Sequence, residues 1–375
     1  MKPIQMVDLK SQYEKIKSEI DEAILNVLAS TSYINGYEVK NFQANFEEYL
    51  GVKHVIPCAN GTDALQIALM ACGLQTGDEV IVPTFTYVAT AEVIALLKLK
   101  PVMVDVDEKT FNVTAEIIEK AITPRTKAIV PVHLFGQTCD MEAIMKVARH
   151  HRLIVIEDNA QAIGSDYSFT NGRKKKSGTI GHIGCTSFYP SKNLGCYGDG
   201  GAICTNDDLL ADKIRIVANH GQTRTYYHDY VGVNSRLDSI QAAVLNIKLK
   251  RLDDYCDARR KVAAFYDKAF ADIAELQTPV RALNSTHVFH QYTLLVKNGK
   301  RNELNEYLKS FAVPTMIYYP VPLYKQKAFA EFVEPNFSLP VTEKLCDSVI
   351  SLPMHTEMQD EQLEFIAEKV KMFFR

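Results

Sequence analysis

The stretch "TSFYPSKNLGCYGDGGAICTN", residues 186–206, sets a lysine, Lys192, between a short apolar run and a glycine-rich turn that leads into a second apolar run. Lysines ordinarily sit in solvent, so its place beside buried-type sequence asks what surrounds it. On the N-terminal side come further short β-rich runs: "KHVIPCAN", "DEVIVPTFT", "KPVMVDVD", "KAIVPVHLFG" and "LIVIEDNAQ". Several are apolar throughout, as expected of strands covered on both faces. Between them lie "TDALQIALMAC", "VATAEVIALLKLK", "TAEIIEKAI" and "DMEAIMKVARHH", which carry helical patterns. The alternation predicts an α/β domain with a mainly parallel sheet.

Beyond it, "LDSIQAAVLNIKLKRLDDY" has apolar residues at 237, 240, 244 and 247, a helical spacing that predicts one long helix from Leu237 with Ser235 as its cap. Then "VFHQYTLLV" and "PTMIYYPVPL" read as strands, and "RNELNEYLKSFA" and "DEQLEFIAEKVKMFF" as helices. We expect a large α/β domain over residues 1–255, opening with a helical segment, and a small α+β domain over 256–375. The basic run Arg173–Lys176 follows a "TNG" turn and reads as a solvated hairpin tip.

Composition narrows the function. A net charge of −3, with 23% charged residues, provides no general attraction to nucleic acid or anionic membranes. No apolar run approaches the ~18 residues of a spanning helix, and the first residues lack the apolar block of a signal peptide. The expectation is a cytoplasmic protein. None of the eight cysteines forms a C-x-x-C pair, so buried free thiols are expected rather than zinc or disulfides.

Four features fall at predicted strand ends, where open α/β sheets bind ligands. Asn60-Gly61-Thr62 precedes a helix start, whose free N–H groups and dipole suit a phosphate; a plain helix cap is the simpler alternative. The spacing is neither Gly-x-Gly-x-x-Gly nor a Walker motif, so a Rossmann oxidoreductase is not supported. Asp158 could hold a proton on a pyridine nitrogen, or else cap a helix or bind magnesium. Tyr87 could stack on a flat ring or merely pack. Lys192 could form a Schiff base. Together they point to pyridoxal 5′-phosphate.

In order and spacing, "NGTDALQIAL", "PTFTYVATA", "VIEDNAQAIG", "SFYPSKNLGCYGDGGAICTND" and "VGVNSRLDSIQAA" resemble the DegT/DnrJ/StrS family of sugar-nucleotide aminotransferases, which are fold-type I pyridoxal-phosphate enzymes. The likeness runs from "VDLKSQY" to "SLPMH". It implies that Lys192 binds the cofactor and shuttles the substrate proton. Asp158 would meet the pyridine nitrogen, Gln161 would lie near the phenolic oxygen, and Tyr87 would stack on the ring. Gly61, Thr62 and Ser187 would hold the phosphate, with Asn234 reaching the phosphate of a neighbouring subunit in a homodimer. Glutamate would donate the amino group and a keto-sugar nucleotide would accept it.

Within the family, the resemblance is to enzymes acting at carbon 3 of UDP-2-acetamido-2-deoxy-3-oxo-glucuronate. Arg236 would bind the uronate carboxylate, unless it forms a structural ion pair. Tyr318 and Tyr319 would help line the sugar pocket, with Tyr318 standing where relatives carry histidine, and Tyr33 would stand near the site unless it merely packs. A neutral 4-keto-6-deoxy or 3-keto-6-deoxy sugar is the alternative acceptor, and would leave Arg236 without a carboxylate. A regulatory protein on this fold would need a DNA-binding module, and the roughly 50 residues before the sheet show no basic recognition helix.

Overall fold

A computed structural model describes residues 2–375. Two helices, α1 (Leu9–Ser30) and α2 (Tyr37–Leu50), lead into β1 (His54–Cys58) and α3 (Gly61–Ala71). There follow β2 (Glu79–Pro83), α4 (Ala89–Leu96), β3 (Lys100–Val104), α5 (Ala115–Ala121), β4 (Thr126–Ile129), α6 (Met141–His151) and β5 (Ile154–Asp158). A hairpin of β6 (Asp166–Ser168) and β7 (Lys174–Lys176) precedes β8 (Ile183–Ser187), β9 (Gly201–Thr205) and α7 (Asp208–Ala218). A second hairpin, β10 (Gln222–Arg224) with β11 (Tyr227–His228), leads to α8 (Ser239–Leu249) and α9 (Leu252–Phe270). The chain closes with β12 (Leu276–Gln277), β13 (Tyr292–Val296), α10 (Arg301–Ser310), α11 (Pro340–Ser348), β14 (Val349–Leu352) and α12 (Asp360–Phe373).

All seven apolar runs of the large domain enter one sheet, in the order β1-β9-β8-β5-β4-β2-β3. β9 is antiparallel to both neighbours and the other contacts are parallel. The sheet is sandwiched: α3, α4 and α7 build one apolar layer, and α2 and α8, with α5 and α6, build the opposite one. Burial on both faces is why these strands are continuously apolar. A three-stranded antiparallel sheet, β12-β13-β14, packs with α9, α10 and α12 into a separate core. The expected boundary at 255/256 falls inside α9.

Four local expectations need correction. The single helix from Leu237 is two, because Arg251 leaves helical geometry at φ −113°, ψ 2° and its guanidinium turns back to the Ile247 carbonyl. The break lets α8 pack on α1 and α2 while α9 serves the small sheet. Ser235 is not the cap; Asp238 occupies that position, and the Ser235 hydroxyl is used elsewhere, as described below. "PTMIYYPVPL" contributes only a bridge from Met316 to Ser351, since Pro314, Pro320 and Pro322 have no N–H to give a ladder. The basic run belongs to a hairpin, as expected, with Arg173 and Lys174 exposed, but most of it runs along one arm rather than over the tip. Lys174–Lys176 form β7, Lys176 pairs with Asp166 at 3.0 Å, and Lys175 donates to the Thr179 carbonyl.

The cysteines are unbridged, and all but Cys72 are buried. Among the described residues no helix is long and apolar enough to cross a membrane.

Candidate active site

The carboxyl ends of β1, β2, β5 and β8 lie along one edge of the sheet, and the predicted residues follow from them. At the end of β5, Asp158 is buried, accepts a hydrogen bond from the Thr90 hydroxyl at 2.7 Å and another from the Ala160 amide at 3.1 Å. Its neighbour Glu157 is fully buried and accepts from the amides of Gly178, Ile180 and Gly181 at 3.0, 2.6 and 2.5 Å. The His133 Nε2–H donates to the same carboxylate at 2.8 Å. Because His133 Nδ1 accepts from the Cys139 amide, the imidazole proton belongs on Nε2. This network fixes the end of β5 and with it the aim of Asp158.

Lys192 lies beyond β8, half-buried, within electrostatic reach of Asp158. Burial lowers its pKa from 10.5 to about 8, and the Asp158 carboxylate only partly opposes the shift. Gln161 is placed between two elements: its Oε1 accepts from the Phe135 amide at 2.7 Å, and its Nε2 donates to the Tyr319 hydroxyl at 3.2 Å. Tyr319 is half-buried against Phe85, with Tyr87 at a ring separation of 6.4 Å. Tyr87 itself is 58% exposed, leaving a ring face open. Tyr318 pairs with the Gln291 side chain, and burial raises its pKa.

At the start of α3, the Asn60 side chain accepts from the Asp63 amide at 2.8 Å, so the simple-cap reading is correct for Asn60. The amides of Gly61 and Thr62 remain without intrahelical acceptors. Gly61 presses on the end of β8: a Cβ there would lie 2.6 Å from the Ser187 Cβ. Only glycine allows this approach, which brings Gly61 and Ser187 into one cradle. Gly61→Ala is expected to push α3 away from β8 at a cost of about 1–3 kcal/mol. A lower melting temperature and faster loss of cofactor on dialysis would be the measured signs.

Asn234 and Arg236 flank Ser235, whose hydroxyl donates to Asp63 Oδ2 at 2.6 Å and accepts from the Ala59 amide at 3.0 Å. That pair of bonds ties the segment to the start of α3. Asn234 is exposed. Arg236 has no ion-pair partner among the described residues, so the structural-ion-pair alternative is not realised. The Tyr33 carbonyl accepts from the Ser239 amide, and the residue is 44% exposed. Thr90, the His133–Glu157 pair and His290 were not anticipated. His290 is buried close enough to Lys192 to feel its charge. Thr90 carried a signal, a hydroxyl between two alanines at the start of α4. The others depend on contacts between distant segments.

Comparison with known proteins places this geometry. Residues 14–371 match the DegT/DnrJ/EryC1/StrS aminotransferase family. The UDP-2-acetamido-2-deoxy-3-oxo-D-glucuronate aminotransferase of Pseudomonas aeruginosa is 48% identical over 363 residues, 97% of this chain and 98% of that one. A pleiotropic regulatory protein of Geobacillus stearothermophilus is 46% identical, with 99% of each chain covered. The crystal structure of S. venezuelae DesV in complex with a ketimine intermediate superposes with a TM-score of 0.95 at 38% identity, covering 100% of this chain and 99% of that chain. The sheet and its superposition therefore define a fold-type I, pyridoxal-phosphate-dependent aminotransferase. More narrowly, the chain belongs to the DegT/DnrJ/EryC1/StrS aminotransferase family.

Proposed function

We propose that this enzyme moves the amino group of L-glutamate to carbon 3 of UDP-2-acetamido-2-deoxy-3-oxo-glucuronate, for assembly of a surface polysaccharide in the cytoplasm. The observation that carries the acceptor is Arg236, a guanidinium without a carboxylate of its own beside the α3 cradle. A planar guanidinium binds a carboxylate by two parallel bonds, and a uronate supplies that group. The likeness to the Pseudomonas enzyme supports the same acceptor.

The residues present fit pyridoxal 5′-phosphate. The Gly61–Ser187 cradle, which a Cβ would fill, suits its phosphate, with Thr62 adding a hydroxyl. Asp158, held by Thr90, would meet the pyridine nitrogen, and Tyr87 would cover the ring. Gln161, anchored between Phe135 and Tyr319, would lie by the phenolic oxygen. Once bound, the cofactor supplies an electron sink and a carrier for the amino group. Lys192 contributes the neutral amine that attaches it and moves the proton at the substrate carbon. At pH 7 a pKa of about 8 leaves about one lysine in ten neutral, against roughly one in three thousand at 10.5.

Tyr33, Tyr318 and Tyr319 would bound the sugar. The exposed Asn234 fits a contact to the phosphate across a homodimer, so that each active site is completed by its partner.

The direct test supplies purified enzyme with 15N-glutamate and the UDP-linked 3-keto-glucuronate, and follows label into the amino sugar by mass spectrometry. Transfer only to a 4-keto-6-deoxy or 3-keto-6-deoxy sugar would overturn the acceptor. Absence of transfer to any keto sugar would favour the regulatory role that one relative's name carries. Arg236→Met is expected to raise KM for the uronate by about a hundredfold, the scale of losing a charge-assisted pair, with little change in kcat. An unchanged KM would remove Arg236 from the sugar site.

A further inference from the structure

The side chain of Gln161 is clamped at both ends, and the clamp decides where a neighbouring hydroxyl proton points. Gln161 is 9% exposed, and its Oε1 accepts from the Phe135 amide at 2.7 Å. A backbone N–H can only donate, so the side-chain oxygen must face it; a flipped amide would set two donors against each other. The nitrogen therefore faces Tyr319, and Nε2 donates to the phenol oxygen at 3.2 Å. That bond uses the Tyr319 oxygen as an acceptor and leaves its O–H free. Among the described residues neither the Tyr319 O–H nor the second Nε2–H of Gln161 has an acceptor.

Both partners of Gln161 are held by one aromatic cluster. Phe85, 1% exposed, meets the ring of Phe135 at 6.3 Å and that of Tyr319 at 6.2 Å. Phe111 backs Phe135 at 5.4 Å. Along the chain, Tyr319 lies between two anchors. The Met316 amide and carbonyl bond to Ser351 of β14 at 3.1 and 2.7 Å, and the Leu323 amide donates to the Thr84 carbonyl, just beyond β2, at 3.3 Å. The hydroxyl thus belongs to a strap that runs from the small sheet to the edge of the large one.

Around it stand residues assigned above to the cofactor ring. Tyr87 is 6.4 Å away, ring to ring, and the Asp158 carboxylate lies within electrostatic reach. Burial raises the Tyr319 pKa and the Gln161 bond only partly opposes it, so the phenol keeps its proton at neutral pH. A protonated phenol whose oxygen is already bonded and whose proton is free suits an anionic oxygen. We propose, resting on the cofactor reading above, that the Tyr319 hydroxyl, oriented by Gln161, donates to the phenolic oxygen of bound pyridoxal phosphate and holds that oxygen ionised. Tyr319 then serves the cofactor side of the pocket as well as the sugar side.

The test is the visible spectrum of enzyme loaded with pyridoxal phosphate, titrated with pH in the absence of both substrates. A hydrogen bond to the ionised oxygen favours the deprotonated form. Tyr319→Phe is therefore expected to raise the spectral midpoint by about one pH unit, the scale of one hydrogen bond to a charged group. Replacing Tyr319 with 3-fluorotyrosine keeps ring and hydroxyl, strengthens the donor and should lower the midpoint; it decides if Tyr319→Phe does not fold. The other titratable groups about the pair are Asp158, Tyr87 and Tyr318, with Lys192 next to Asp158 and His290 next to Lys192. All are kept in both variants. A midpoint that stays put in both variants, with or without a raised KM for the sugar nucleotide, would overturn the proposal and leave the cofactor reading standing. A wild type without a visible band would overturn both.

Discussion

Lys192→Ala is expected to abolish covalent attachment of pyridoxal phosphate and to lower aminotransfer by at least about a thousandfold, as loss of a nucleophile that also acts as base does. Absorbance of the bound cofactor and a single-turnover assay with labelled glutamate measure the two effects. The fold should survive, because Lys192 makes no side-chain hydrogen bond that the strands depend on; its backbone amide, bonded to the Tyr189 carbonyl, is kept. The wild-type lysine also predicts a pH profile. Only the neutral amine attacks, so cofactor capture by apoenzyme should quicken as pH rises toward about 8 and level off above it. A midpoint near 10 would contradict the buried setting, and a variant that transaminates at the parental rate would remove Lys192 from the chemistry.

Asp158→Ala should act in two opposite directions. Turnover should fall by about a hundredfold to a thousandfold if, as proposed, Asp158 supplies a fixed charge facing the developing charge of the reaction. The capture midpoint should move below that of wild type, because the Asp158 carboxylate is what holds the Lys192 pKa up against burial. Removing it favours the neutral lysine. Faster capture at pH 7 together with slower turnover is a combination that general damage to the fold would not produce. Thr90→Val, which strips Asp158 of its 2.7 Å donor, should reproduce the turnover loss in milder form. If Asp158→Ala leaves turnover intact, the acid has another purpose.

How far the molecule can be read from its residues depends on how local the information is. The seven strands of the large sheet announced themselves, because burial on both faces makes a run apolar regardless of its neighbours. Nothing in "GAICTN" encodes that β9 runs against the others, since strand direction depends on which segments pair. The helix from Leu237 looked continuous because apolar spacing persists across Lys250 and Arg251, while the break serves two different cores. Ser235 resembled a cap by position, yet its hydroxyl serves Asp63, far back in the chain. In the site, Lys192, Asp158 and Gly61 were visible as motifs at strand ends. The supports of Asp158 were not: Thr90 and the His133–Glu157 pair arrive from other elements, and only the folded chain shows what they touch.

The antiparallel strand also orders events at the ribosome. β1 meets the rest of the sheet solely through β9, which is inserted between it and β8. When His54–Cys58 emerges it has no neighbour to join, and it waits for residues 201–205. The close packing of Gly61 on Ser187 can form only once β8 has been made, and β9 then pins β1 alongside. Such a sequence-distant closure is slow to form. Lys192 emerges before that closure, so a nascent chain carries its reactive amine ahead of the cradle proposed for the phosphate, and the capacity to retain cofactor matures among the last properties of the large sheet.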